Sequence, residues 1–196
     1  MWPVVAALQS VGHTVLAPTL PGHGGQPDDL RGATWAQWLD MVTSWPADVI
    51  VGQSMGASLA LAAASRQACS KVVAINPLAG DIDSLEGLQW RLDRGHEWVE
   101  VEPSTVGEIT LDRLPLSVLI EMMQGINDID LSAVCVPVLC MTSKHDDVVD
   151  PANSDIVAAA LGGPVTRVVL HNGGHVATLD ADQAVLLESI VAFVGL

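Results

Sequence analysis

Positive charge is what this sequence has least of. Eight lysines and arginines stand against 23 aspartates and glutamates, so the 196-residue chain carries a formal net charge of −15. No basic stripe exists to meet phosphates, which argues against nucleic acid as a partner and disfavours strongly anionic membrane surfaces. Cysteine is also scarce. Cys69, Cys135 and Cys140 are odd in number and lie within or beside apolar runs. They read as small core hydrophobes in a reducing compartment rather than as a disulfide framework. No apolar run approaches the roughly 18 residues that would suggest a membrane span, so no stable membrane insertion is expected. The apolar start, Met1 to Leu8, has no basic leader and no cleavage-site pattern, and does not read as a signal peptide. Cytoplasmic placement is the resulting expectation. Internal repeats and low-complexity tracts are absent too.

What is present is a 49% hydrophobic chain, long enough for one domain with a sizeable core and a small insertion. Pro3 with Val4, Val5, Leu8 and Val11 on one face predicts a short amphipathic helix that Gly12 stops. His13 to Ala17 reads as a strand, and Pro18 to Ala33 as a loop. Thr34 is a plausible N-cap for a helix through Trp35, Trp38, Leu39 and Val42 to Trp45. Val49 to Val51 is a strand, Ala57 to Gln67 a helix, and Lys71 to Ile75 another strand. Strands that read as continuous apolar runs and alternate with helices predict a mostly parallel sheet covered on both faces. The alternation breaks after Pro77. Residues 78–115 form a mixed segment with two short helical patterns, expected to be a small cap inserted between core segments 1–77 and 116–196. Leu116 to about Gly125 reads as a helix, Val136 to Met141 as a strand, and Thr166 to Leu170 as the last strand. Asp180 to Phe193 closes the chain as a helix, with Asp180 and Gln183 spaced as an N-cap and its box partner.

Between the Val49–Val51 strand and the Ala-rich helix lies Gly52-Gln53-Ser54-Met55-Gly56. A Gly-x-Ser-x-Gly turn from a buried strand into a helix is a nucleophile elbow. The strained turn projects the serine hydroxyl from the sheet, and the flanking glycines let helix and strand crowd around it. The helix N-terminus aims free N–H groups at any oxyanion formed beside Ser54.

Two later loops carry partners for a serine. After the Val136–Met141 strand come Asp146, Asp147 and Asp150. Asp150 precedes Pro151 and has a capping job at a helix start, whereas either of the other two could orient a histidine. The cluster lacks a neighbouring ligand pattern, which argues against a metal. After the last strand come His171, at the strand end, and His175, beyond a Gly pair. His13, His23, His96 and His145 read as structural or merely exposed. Serine, then acid, then histidine, each after its own strand, is the order of triad partners in a hydrolase built on such a sheet.

These stretches, with Leu16-Ala17-Pro18-Thr19-Leu20-Pro21-Gly22-His23-Gly24 and Gly174-His175-Val176-Ala177-Thr178-Leu179-Asp180, make the chain resemble the bacterial carboxylesterase and monoacylglycerol lipase family of α/β-hydrolases. The resemblance spans nearly the whole sequence. It implies the α/β-hydrolase fold with a small cap, and it places the nucleophile on Ser54, the acid on Asp146 and the base on His175. His171 stands where a different polar residue is expected, and its role is open. In the family a strand and a His-Gly loop precede the helix that here starts the chain, and that loop supplies half of the oxyanion hole. Nothing here corresponds to them, so the chain reads as N-terminally truncated or as having a mis-set start. The expected consequence is a gap or a forced re-pairing in the sheet, with the Met55 N–H as the remaining oxyanion donor.

The implied activity is hydrolysis of a carboxylic ester, a monoacylglycerol or simple acyl ester, with no metal or organic cofactor. A serine hydrolase of the same fold acting on a C–C, lactone or amide bond is the alternative. A degenerate, non-catalytic binding relative is the other. In the cap, Leu85, Leu88, Trp90 and Trp98, with no basic cluster nearby, suggest an acyl pocket in which Trp90 and Trp98 contact substrate. The competing reading is that these residues only pack the cap onto the sheet.

Overall fold

A computed structural model describes residues 1–66, 68–102, 106–108 and 111–195. Gln67, at the end of one expected helix, and residues 103–105 and 109–110 of the expected cap lie outside the described residues. Four parallel strands form the sheet in the order β1-β2-β5-β6: β1 is Val49–Gln53, β2 Lys71–Ile75, β5 Val138–Ser143 and β6 Val165–Leu170. Pairing is in register from Val49↔Lys71 to Gln53↔Ile75, and from Val138↔Val165 to Ser143↔Leu170.

The period-2 alternation of side chains divides the core between the two faces. Val73 and Ile75 of β2, with Leu139 and Met141 of β5, pack beneath α1 (Trp2–Ser10) and α7 (Gln183–Val194), which contribute Val4, Leu8, Leu186 and Ile190. Val72 and Ala74 of β2, with Val138, face α3 (Met55–Ser65) and α6 (Ala152–Ala160) through Ala57, Ala60, Leu61, Ala64 and Val157. Eight consecutive residues of α3, Ala57 to Ala64, are buried, because a third cluster covers its far side. There α2 (Trp35–Thr43) inserts Trp38 and Leu39 against Leu59, Ala62 and Ala63. Thr34 caps α2 as expected: its Oγ1 accepts from the Gln37 N–H at 3.3 Å while Gln37 Oε1 accepts from the Thr34 N–H at 3.1 Å.

Three expectations need correction. His13–Ala17 is not a strand; the segment lies outside the sheet with Leu16 58% exposed. A strand exists only where its N–H and C=O groups find a ladder, and among the described residues β1 pairs with β2 alone. The outcome is an open edge rather than a re-paired sheet. Asp180 does not cap α7, which starts at Gln183 without a side-chain cap bond. The Asp180 carboxylate instead accepts from the N–H groups of Gly174 and Ala181, both at 2.7 Å. Among the described residues, the segment after Pro77 holds one helix rather than two, α4 (Ile82–Asp93), followed by an antiparallel ribbon of β3 (Trp98–Glu100) and β4 (Arg113–Pro115). Asp81 caps α4, accepting from the Asp83 and Ser84 N–H groups. No residue of α4 is buried. From β4 the chain runs directly into α5 (Leu116–Asn127).

Candidate active site

The residues singled out for chemistry sit where the strands end. At the carboxyl edge of the sheet, each strand end is tied to its neighbour. The Ser54 N–H donates to Ile75 O at 2.8 Å, the Asn76 N–H to Met141 O at 2.9 Å, and the Lys144 N–H to Leu170 O at 2.8 Å. The turns after β1, β2 and β5 are thereby set against fixed strand ends.

Ser54 occupies the turn from β1 into α3 with φ 56° and ψ −125°, a left-handed conformation that side chains rarely adopt. The reason glycine precedes it is steric. A Cβ on Gly52 would lie 2.0 Å from Gly56 O and 2.6 Å from the Ala57 nitrogen, so helix and strand close up only because it is absent. The second glycine does not share that duty, since a Cβ on Gly56 would meet nothing within 4 Å outside its own helix. Ser54 O accepts the first turn of α3 from Ala57 and Ser58. Met55 is the first residue of that helix, where a backbone N–H has no intrahelical acceptor. Among the described residues the Ser54 hydroxyl makes no hydrogen bond.

Asp146 and His175 come together. His175 Nδ1 lies 2.8 Å from Asp146 Oδ2 and 3.0 Å from Oδ1, with the side chains 13% and 2% exposed respectively. Oδ1 also accepts from the Val148 and Val149 N–H groups at 2.9 and 2.8 Å. Burial pushes the Asp146 carboxyl up, but the hydrogen bond from His175 and those from Val149 and Val148 outweigh it and hold the group below the usual carboxylate range. An ionised carboxylate only accepts, so Nδ1 carries the proton toward Asp146, and Nε2 of a neutral ring is left free to accept one.

The His175 loop is braced by backbone-to-carboxylate bonds. Asp182 accepts from the Asn172 N–H at 2.6 Å, Asn172 Nδ2 at 2.9 Å and the Gly173 N–H at 3.0 Å. Those bonds, Asn172's first, hold Asp182 below the usual carboxylate range, with a smaller contribution from the charge of exposed His171. Past His175, the Thr178 N–H reaches Gln53 Oε1 at 3.4 Å, joining this loop to the residue before Ser54.

The other candidates lie elsewhere. Asp147 is exposed, and Asp150 accepts from the Ala152 N–H at 2.9 Å; it is not the cap expected of it, because α6 begins one residue later, with Pro151 at the N-cap and no side-chain cap bond. His23 packs edge-on against Trp38, with ring centroids 5.4 Å apart. Trp90 is 54% exposed, and the Arg94 guanidinium stacks on it at 3.8 Å. The guanidiniums of Arg31 and Arg113 both stack on Trp98, at 4.4 and 4.3 Å, while Arg31 pairs with Asp28 and Glu97. Among the described residues no group of three or more His, Cys, Asp or Glu is placed to hold a metal, and no helix is long and apolar enough to cross a membrane.

Sequence reasoning passed over Asn76, Gln53 and Asp182. Their contacts span 67 to 125 residues of chain for the first two, beyond any local pattern. The one local signal was an amide residue directly after the buried run Lys71–Ile75.

A parallel sheet, an elbow serine after β1 and a half-buried acid–histidine pair after β5 and β6 define an α/β-hydrolase. The chain belongs to the alpha/beta hydrolase family, whose model matches residues 1–187. It is similar to a thermostable monoacylglycerol lipase from Bacillus sp. (strain H-257), 26% identical over 212 residues, covering 98% of this chain and 84% of that protein. Among solved structures, one from work on the metagenome-derived lipolytic enzymes LipS and LipT superposes with a TM-score of 0.87 at 25% identity, covering 97% of this chain and 85% of the other. A monoacylglycerol lipase of Paleococcus ferrophilus shares the fold, with a TM-score of 0.76 at 14% identity over 97% of this chain and 86% of its own.

Proposed function

We propose that this protein hydrolyses carboxylic esters, a monoacylglycerol or simple acyl ester, through Ser54, His175 and Asp146. The observation that carries the reading is the half-buried His175–Asp146 pair, whose histidine loop is bonded through the Thr178 N–H to Gln53, the residue before the strained Ser54 turn. In this reading Ser54 Oγ attacks the acyl carbonyl and His175 Nε2 takes its proton. The tetrahedral oxyanion rests on the Met55 N–H at the start of α3. Collapse expels the alcohol, which leaves with the proton from His175. Water, deprotonated by the same nitrogen, then releases the acid from the acyl-enzyme. Asp146 holds the ring with Nδ1 protonated and stabilises the imidazolium. No step draws on a metal or organic cofactor.

The cap, residues 78–115, supplies the acyl site in this reading. What supports it is the half-exposed or exposed apolar row Ile82, Leu85 and Leu88 at three-residue spacing on α4, with exposed Trp90 on another side of the helix. Trp98 is a weaker candidate than Trp90, because two guanidiniums already stack on its ring. Fluorophosphonate labelling followed by nitrophenyl ester assays tests both parts. Labelling that disappears in Ser54→Ala, with turnover rising from acetate toward medium chains, supports the proposal. An unlabelled wild type would favour a non-catalytic binding protein, and a steady fall in turnover from acetate onward removes the acyl site from the cap.

A further inference from the structure

β2 leaves the sheet at Asn76, which with Ser54 is one of two described non-glycine residues with positive φ, here 48°. Its side chain is 2% exposed and spent on two other loops. Oδ1 accepts from the Ser143 N–H at 2.7 Å, while Nδ2 donates to Ser143 Oγ at 3.0 Å and to the His175 carbonyl at 2.9 Å. Ser143 O in turn accepts from the Asp146 N–H at 3.4 Å, so the same side chain grips the start of the acid turn. The residue before it, Ile75, takes the Ser54 N–H. Asn76 and its neighbour Ile75 therefore touch the chain at the foot of all three loops: Asn76 at the acid and histidine loops, Ile75 at the elbow.

We propose that Asn76 is a positioning residue of this site, holding the main chain at His175 and the turn carrying Asp146 in one fixed relation to the Ser54 elbow. The inference rests on the Ser54–His175–Asp146 reading above. The residue type suits the task on two counts. Asparagine is among the few residues that tolerate the left-handed region. Its amide also offers donors to two oxygens and an acceptor to an N–H from one planar group. Aspartate would place an oxygen against the His175 carbonyl, and an apolar residue would leave the Ser143 N–H and two oxygens buried without this partner.

The informative variant is Asn76→Gly, which keeps the left-handed backbone available and deletes all three side-chain bonds. Misplacement of a reacting group by about 1 Å costs on the order of 10²-fold, so kcat for a nitrophenyl ester should fall about 10- to 100-fold while KM changes little. Ser143→Ala, which loses one of the three bonds and spares the one to His175, should stay within about threefold of wild type. A readout that needs no turnover accompanies these. The His175 Nδ1 proton, expected far downfield in the wild-type NMR spectrum because it bonds to Asp146, should broaden or vanish in Asn76→Gly. If Asn76→Gly does not fold, Asn76→Asp should show the same two changes. Unchanged kcat together with an unchanged Nδ1 proton, even with a lower thermal midpoint, would reduce Asn76 to a structural residue and overturn the proposal. An unlabelled Ser54 in the wild type defeats the hydrolase reading instead, and the Nδ1 proton still decides whether Asn76 holds His175 against Asp146.

Discussion

Replacing Asp146 with asparagine should remove nearly all esterase activity without unfolding the protein. The two carboxylate oxygens have different duties. Oδ1 is pinned by the Val148 and Val149 N–H groups at 2.9 and 2.8 Å and lies 3.0 Å from His175 Nδ1, while Oδ2 has only that nitrogen, nearer at 2.8 Å. An asparagine must therefore keep its oxygen under the two backbone donors and turn its NH₂ toward the imidazole. That group can only donate, so Nδ1 becomes the acceptor and the ring proton moves to Nε2. A protonated Nε2 cannot accept the Ser54 proton. Trapping the wrong tautomer costs about 10⁴-fold in a serine protease, and a loss of about 10³–10⁴, or roughly 4–5.5 kcal/mol of transition-state stabilisation, is expected here. Asp147→Asn is the internal control. That side chain is exposed and hydrogen-bonds to none of the described residues, so its turnover should stay within about twofold of wild type. Steady-state hydrolysis of a nitrophenyl ester, with circular dichroism to confirm folding, measures both. Equal losses in the two variants, or an Asp146→Asn enzyme within about tenfold of wild type, would refute the assignment of the acid.

Two further outcomes follow from the same geometry. Gly52→Ala drives a methyl into the Gly56 carbonyl, 2.0 Å from where the Cβ must go, and should cost about 3 kcal/mol or more, whereas Gly56→Ala meets only open space and should gain up to about 1 kcal/mol from helix propensity; comparable unfolding midpoints for the two would contradict the close approach. Asp182 is held below the usual carboxylate range by Asn172 and Gly173, so its stabilisation is present above the unfolded value of about 3.9 and is lost as pH falls through the lower folded value; the gap in thermal midpoint between wild type and Asp182→Asn should be full at neutral pH and close below about pH 4, and a gap constant through that range would be evidence against it.

The elbow was legible in the sequence because its requirements are local. Gly52, Ser54 and the buried runs on either side are contiguous, and one strand–turn–helix needs nothing from elsewhere to be recognised. The same holds for the Thr34 cap and for β2 and β5, whose apolar runs answer to burial on both faces, whereas the edge strands β1 and β6 are only partly covered. Tertiary structure decided what depends on a distant partner. Which aspartate meets His175 was open among neighbours in one loop, and was settled by a contact 29 residues away in the chain. Asp180 has the spacing of a helix cap, yet the Gly174 N–H competes for its carboxylate and wins. His13–Ala17 has the composition of a strand, but strand formation is a property of pairs, and β1 offers it no ladder. Asn76 merely follows the Lys71–Ile75 strand in the sequence, and only the fold brings Ser143 and the His175 carbonyl to its amide. Local propensity is written residue by residue, whereas a buried hydrogen bond needs both partners in place, and only the folded chain puts them there.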